Sequence, residues 1–114
     1  MVTATVGQLN TEIQNTVLRF GRHLTKKGIP IEKLIVFGSH AKHNARPTSD
    51  IDVCVVSSSF GKEPMKELQD LLKERSHIDD TIEPYAASIE EFEGHDSPLM
   101  HEVKKYGVEV SELL

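Results

Sequence analysis

The chain has 114 residues, of which 38% are hydrophobic and 27% charged, which suffices for one core and predicts a single domain over residues 1–114. Its net charge of -5 argues against a protein that holds nucleic acid through its phosphates, so stable nucleic-acid binding is not expected. The single cysteine excludes an internal disulfide, and the absence of a signal-like segment or a membrane-length apolar run predicts a cytoplasmic protein.

The first predicted element is a helix of about four turns near the start of the chain. Its apolar stripe recurs at steps of four and three and consists of Leu9, Ile13, Val17, Phe20 and Leu24. Lys26 and Lys27 then lead into Gly28 and Pro30, a sequence typical of a helix end.

Two apolar runs follow, and both are typical of buried strands. The first covers residues 34–37 and ends at Gly38, and the second covers residues 51–56. Cys54 lies within the second run and is expected to be buried. A polar stretch separates the two strands, and residues 57–61 are predicted to form a loop.

A helix and a third strand are predicted next. Leucines at helical spacing indicate a helix over residues 63–75. Residues 78–86 alternate less cleanly, and a strand there contains Ile82 and Tyr85.

Two helix starts and a final strand complete the chain. Ser88 and Glu91 match a capping box, and Ser97-Pro98 is typical of an N-cap followed by the first helical residue. Gly107 should end the last helix, before a short strand with Val108 and Val110. The expected packing face of that helix consists of Leu99, Met100, Val103 and Tyr106.

The order of these elements predicts the fold class. Helix, strand, strand, helix, strand and helix follow one another without a repeat or a dividing linker. This order indicates an α/β (α+β) fold, in which helices pack on a small mixed β-sheet.

The first chemically informative feature is the pair Asp50 and Asp52, at the entrance to the second strand. Residues two apart on a strand point to the same side, so the two carboxylates should lie side by side. Adjacent carboxylates repel each other, and a divalent cation removes that repulsion. Carboxylate oxygens together with substrate phosphates are typical ligands of Mg²⁺.

The second feature is the turn Gly38-Ser39 at the end of the first strand. Glycine allows close approach by a phosphate, and Ser39 adds a hydroxyl donor at a point where a short helix is expected to begin. Lys42 and Arg46 lie between this turn and the aspartates and are candidates to neutralise phosphate oxygens.

Each feature by itself has a simpler interpretation. A lone Gly-Ser is a turn in most proteins, and a lone Asp-x-Asp is more often a solvated strand end than a metal site. The prediction therefore depends on their order, their spacing and the strand on each side.

Together the features resemble the signature of the DNA polymerase β-type nucleotidyltransferase superfamily. Gly38-Ser39, ten further residues, and then Asp50-Ile51-Asp52 carry this resemblance within residues 34–56. The small size is similar to that of its minimal nucleotidyltransferases, which are often encoded beside a helical HEPN-domain partner.

The resemblance implies specific roles for these residues. It implies that Ser39 contacts triphosphate oxygens and that Asp50 and Asp52 bind the catalytic metal. A third acid on a later strand is also implied, for which Glu83 is the preferred candidate. Asp79 and Asp80 remain alternatives, because a slip of one residue in the register of that strand turns Glu83 to the other face.

The chain also departs from the family pattern. Family members often carry arginine after the serine, followed by Arg and Gly, whereas this chain has His40, Lys42 and His43 in that segment. Lysine supplies a positive charge but not the bidentate fork of arginine, so nucleotide affinity or base preference is expected to differ.

The implied function is a Mg²⁺-dependent nucleotidyltransferase with a two-metal site, which transfers a nucleoside monophosphate, AMP from ATP, to a hydroxyl. The resemblance implies an acceptor on a HEPN-type partner protein, in a pair of the toxin–antitoxin type. The alternative is a non-catalytic antitoxin that neutralises such a partner by binding. The nucleotide, the acceptor and the oligomeric state are not determined by the sequence.

Overall fold

The structure is a computed structural model and describes residues 9–114. Its helices and strands, in chain order, are α1 (Thr11–Lys26), β1 (Lys33–Phe37), β2 (Ile51–Val56), α2 (Pro64–Arg75), β3 (Ile82–Ala87), α3 (Ile89–Glu93), α4 (Pro98–Tyr106) and β4 (Val108–Glu109), and a 3-10 turn follows over Ser111–Leu113.

The four strands form one mixed sheet in the order β3-β2-β1-β4. β1 pairs antiparallel with both β2 and β4, whereas β2 and β3 run parallel. Parallel strands need a long crossover, and α2 supplies it between β2 and β3.

Helices cover both faces of the sheet, because successive strand residues point to opposite sides. α1 and α2 pack on the face that carries Leu34, Val36, Ile51, Val53, Val55 and Ile82. α3 and α4 pack on the other face, which carries Ile35, Phe37, Cys54, Val56 and Ala87. The predicted fold class, a small mixed sheet with helices packed on it, is confirmed.

Polar side chains cap the starts of α1, α3 and α4, at or near the predicted points. The Ser88 hydroxyl accepts a hydrogen bond from the Glu91 amide (3.0 Å), and the Ser97 hydroxyl accepts one from the Met100 amide (3.2 Å). Asn10 caps α1 by accepting from the Glu12 amide at 2.8 Å. Asn10 was not among the predicted helix starts, although asparagine before a helix is a recognised N-cap signal.

One expected core residue lies at the surface. Met100 and Val103 of α4 are buried, but Tyr106 is 41% exposed. The chain turns from α4 into β4 at Gly107, where a Cβ would overlap the Val103 carbonyl and the Ile35 side chain. This tight reversal leaves Tyr106 at the end of α4, outside the core.

Among the residues that the structure describes, no helix is long and apolar enough to cross a membrane.

The thiol of Cys54 is fully buried, as predicted. Burial, with a smaller contribution from the charge of Glu91, raises its pKa to about 12. Because the thiolate is the reactive form, we expect native protein at pH 8 to react with Ellman's reagent at least about 100-fold more slowly than unfolded protein. The reaction of protein in guanidinium is the control, and a native thiol that reacts at the unfolded rate would contradict the burial.

Candidate functional site

Two acidic side chains lie on the same face at the same end of the sheet. Asp52 of β2 and Glu83 of β3 are direct partners in the parallel register. Since partners in a ladder point to the same side, both carboxylates project toward the face that α3 and α4 cover. Asp52 and Glu83 lie far apart in the chain, and the periodicity of neither strand reveals their pairing, which depends on how β3 joins β2.

Asp50 adds a third negative charge next to this pair. Burial, followed by the charges of Glu83, Asp50 and Glu102, raises the pKa of Asp52 from 3.8 to about 6, while the charge of His40 opposes the shift. Asp50 and Glu83 are exposed, whereas Asp52 is half-buried. Asp50, Asp52 and Glu83 therefore form an acidic group whose charges interact, and Asp52 is its least exposed member.

The two alternative third acids are placed differently. Asp79 Oδ1 accepts hydrogen bonds from the Thr81 amide (2.8 Å) and the Thr81 hydroxyl (2.5 Å), which lowers the pKa of Asp79. Asp80 is exposed in the turn before β3. Of the three candidates, Glu83 is the one that the register puts beside Asp52.

Arg75, at the end of α2, fixes where β3 begins. Its guanidinium donates to the carbonyl oxygens of Asp80 (2.9 Å) and Ile82 (2.7 Å). The Ile51 amide, at the start of β2, donates to the Thr81 carbonyl at 2.8 Å. These bonds hold β3 in the register that pairs Glu83 with Asp52.

The Gly38-Ser39 turn passes directly over Asp52. Gly38 has a φ of 73°, in the left-handed region, and a Cβ at this position would overlap the Asp52 carboxylate. The glycine is therefore required both by its backbone conformation and by the closeness of the carboxylate.

The segment after Gly38 is a single hydrogen-bonded turn rather than the expected start of a helix. The Lys42 amide donates to the Gly38 carbonyl and the Asn44 amide to the Ser39 carbonyl, both at 3.1 Å. The turn ends at His43, which has a φ of 61°. Within residues 9–114 the Ser39 hydroxyl has no hydrogen-bond partner, so it is available to a ligand.

His40 connects this turn to the aspartates. Its Nε2 donates to the Ser49 carbonyl oxygen at 3.3 Å, immediately before Asp50. The residue that follows Ser39 thus ties the candidate phosphate turn to the start of β2.

The two predicted phosphate-binding cations lie in different places. Lys42 Nζ lies 3.2 Å from Glu102 Oε1 on α4 and 4.6 Å from the centroid of the Tyr106 ring. Arg46 instead lines a cleft of about 480 Å³ at the start of α1, together with Glu12. Lys42 therefore contacts α4, whereas Arg46 lines a cleft at the start of α1.

The donor chemistry of the acidic group fits a divalent cation. Asp50, Asp52 and Glu83 offer hard oxygen ligands, and their mutual repulsion is what a cation would neutralise. Across residues 9–114, however, no three His, Cys, Asp or Glu side chains are grouped tightly enough to hold a metal. The exposed side chains of Asp50 and Glu83 would have to turn toward Asp52 to complete such a site.

Comparison with known families agrees with this geometry. A family model described as "Nucleotidyltransferase domain" matches residues 19–106 of the 114-residue chain. The chain belongs to the nucleotidyltransferase domain family. The matched segment includes the Gly38-Ser39 turn, both aspartates and Glu83. No curated protein matches the chain.

The general activity of this family is the transfer of a nucleoside monophosphate. The family generally uses a nucleoside triphosphate and a divalent metal for this transfer. The predicted superfamily is confirmed at this level.

Two residues that interact with the acidic group, Tyr85 and Glu102, were not predicted from the sequence as site residues. Burial, followed by the charges of Asp52 and Glu83, raises the pKa of Tyr85 to about 12. The period-2 pattern of strands could have identified Tyr85, since it lies two residues after Glu83. Glu102 carries no such signal, because α4 reaches the site only through tertiary packing.

Proposed function

We propose that this domain is a Mg²⁺-dependent nucleotidyltransferase that transfers AMP from ATP to a hydroxyl of a HEPN-type partner protein, as half of a cytoplasmic pair of the toxin–antitoxin type. Residues 1–114 would act as one domain. The observation that carries the proposal is the register that pairs Asp52 with Glu83, next to Asp50 and beneath Gly38.

The chain's own residues suit the steps of this reaction. The Ser39 hydroxyl would hold the outer phosphates. Lys42 and Arg46 would contact phosphate oxygens once a nucleotide is bound. Asp50, Asp52 and Glu83 would hold the metal, which when bound would neutralise the negative charge that develops around the α-phosphate.

The proposed transfer is a nucleophilic displacement at the α-phosphorus. The acceptor oxygen forms a bond to that phosphorus, the bond to the bridging oxygen of pyrophosphate breaks, and Glu83 takes the hydroxyl proton. Pyrophosphate leaves with the bonding electrons.

The exposure of the acidic group supports the involvement of a partner protein. Asp50 and Glu83 are exposed, and within residues 9–114 no second domain covers them. Charge interactions are stronger where water is excluded, so a partner that covers the acidic group while presenting its hydroxyl would complete the site. The resemblance to minimal nucleotidyltransferases supports a HEPN-type protein as this partner.

The competing function is an antitoxin that neutralises its partner by binding alone. To separate the two, ATP labelled at the α-phosphate is incubated with the domain, Mg²⁺ and the product of the neighbouring gene. Catalysis predicts label on the partner, which Asp50→Ala removes together with neutralisation of the partner. Neutralisation that survives Asp50→Ala without any label transfer would support the binding protein instead.

The third acid can be tested separately. We expect Glu83→Gln to reduce label transfer at least about 100-fold, because it removes a charge from the acidic group at the reaction centre. Asp80→Asn is the matched control and should retain the activity of the unchanged protein, since Asp80 lies in the turn before β3. The opposite ranking of the two variants would assign the third acid to Asp80.

A further inference from the structure

A groove runs along α4, beside the acidic group. It has a volume of about 590 Å³, within the usual range for small-molecule sites. Its lining residues are Gly94, His95, His101, Glu102, Lys104, Lys105 and Tyr106.

One end of this groove has a structural role. His101 Nε2 donates to the His95 carbonyl at 2.9 Å, and Lys104 Nζ donates to the Gly94 carbonyl at 3.0 Å. These bonds hold the connection between α3 and α4 in place, so this end is not the part that a ligand would engage first.

The other end presents an aromatic ring. Tyr106 is 41% exposed, and its ring centroid lies 4.6 Å from Lys42 Nζ and 5.3 Å from Lys105 Nζ. Both ammonium groups lie over the ring. Aromatic rings combined with positive groups bind the bases and phosphates of single-stranded nucleic acids.

This aromatic end is continuous with the acidic group. Lys42 Nζ also contacts Glu102 Oε1 at 3.2 Å, and the charge of Glu102 helps to raise the pKa of Asp52. Lys42 follows the Gly38-Ser39 turn in the chain, so it bridges the turn, the acids and the ring. A nucleotide whose phosphates reach Lys42 would have its nucleoside within reach of Tyr106.

We propose that this groove holds the nucleoside of the bound triphosphate, with the base stacked on the Tyr106 ring. The inference rests on the proposed function, because it assumes that a nucleoside triphosphate occupies the acidic group. A base that stacks on the ring would displace one of the two ammonium groups that lie over it. Tyr106 would then contribute to affinity for the nucleoside, and not to affinity for the phosphates.

Binding of two ligands to the same protein tests this. Isothermal titration in the presence of Mg²⁺ compares ATP with inorganic tripolyphosphate, which lacks the nucleoside. We expect Tyr106→Ala to weaken ATP roughly tenfold, the scale of one lost stacking contact, and to leave tripolyphosphate unchanged. Tyr106→Phe keeps the ring and should bind ATP like the unchanged protein.

The possible outcomes distinguish stacking of the base on Tyr106 from the proposed function on which that inference rests. ATP affinity that is unaffected by Tyr106→Ala would overturn the stacking while leaving nucleotide binding intact. Failure of the unchanged protein to bind either ligand would overturn the proposed function and the inference together. A loss of tripolyphosphate affinity equal to that of ATP would overturn the assignment to the nucleoside.

Ring-proton NMR gives a direct readout of contact. The chain has only two tyrosines, so the Tyr85→Phe variant identifies the Tyr106 signals. We expect ATP to shift them through the ring current of the stacked base, whereas tripolyphosphate should not. Tyr106 signals that do not move at saturating ATP would contradict the proposal.

Discussion

Asp52→Asn should reduce nucleotidyl transfer at least about 100-fold and, in the same protein, raise stability at pH 7. Activity falls because Asp52 is the least solvated member of the acidic group and lies beneath the Gly38 turn. Stability rises because the charged carboxylate is disfavoured by burial and by the neighbouring charges of Glu83, Asp50 and Glu102.

The gain in stability has a defined pH dependence. The pKa of Asp52 is raised from 3.8 to about 6 in the folded protein, so between these values the folded state binds more protons than the unfolded state. The contribution of Asp52 to stability therefore falls as pH rises through this window. The gain from asparagine should be small near pH 4 and reach about 1 kcal/mol above pH 6, a value reduced because the half-exposed group is screened by solvent.

Thermal or urea unfolding of the metal-free protein across pH 4–8 measures this effect. Glu93→Gln is the matched control, because it removes an exposed carboxylate of α3 and should change neither activity nor the pH profile. An asparagine variant that loses stability at pH 7, or that transfers label at the normal rate, would contradict the role given to Asp52.

Gly38→Ala should abolish transfer at a modest cost in stability. Its φ of 73° costs an alanine roughly 1–2 kcal/mol, and the new methyl group would overlap the Asp52 carboxylate. Because the overlapped atoms are at the end of a movable side chain, the carboxylate can swing away. The protein then stays folded with Asp52 displaced.

Gly28→Ala provides a close comparison. Gly28 has a φ of 90°, and nothing lies within 4 Å of a Cβ built there. Both alanine variants should therefore lose similar free energy of unfolding, while Gly28→Ala keeps its activity. Equal activity of the two variants would show that the closeness of Gly38 to Asp52 has no functional consequence.

The sequence predicted most elements because their signals are local. The apolar run of β2 was predicted at residues 51–56 and is observed at Ile51–Val56. The serine caps of α3 and α4 were predicted from adjacent residues and are confirmed. Tyr106 was assigned wrongly to the core, because helical spacing does not reveal that the chain reverses at Gly107.

The candidate site was predicted less completely, for a physical reason. Asp50 and Asp52 share a side because strand geometry has a period of two residues, and the glycine turn follows directly from its position after β1. The partnership of Lys42 with Glu102 joins residues far apart in the chain, and no local pattern contains it.

What the sequence determined by itself was the family signature, the strand that carries the aspartates and the turn that faces them. Only the tertiary structure decided which later acid stands beside Asp52. A strand's own pattern is compatible with either register, and the Arg75 bonds to the carbonyls of Asp80 and Ile82 support the observed one. That constraint comes from α2 packing next to β3, and it brings Glu83 to the side of Asp52.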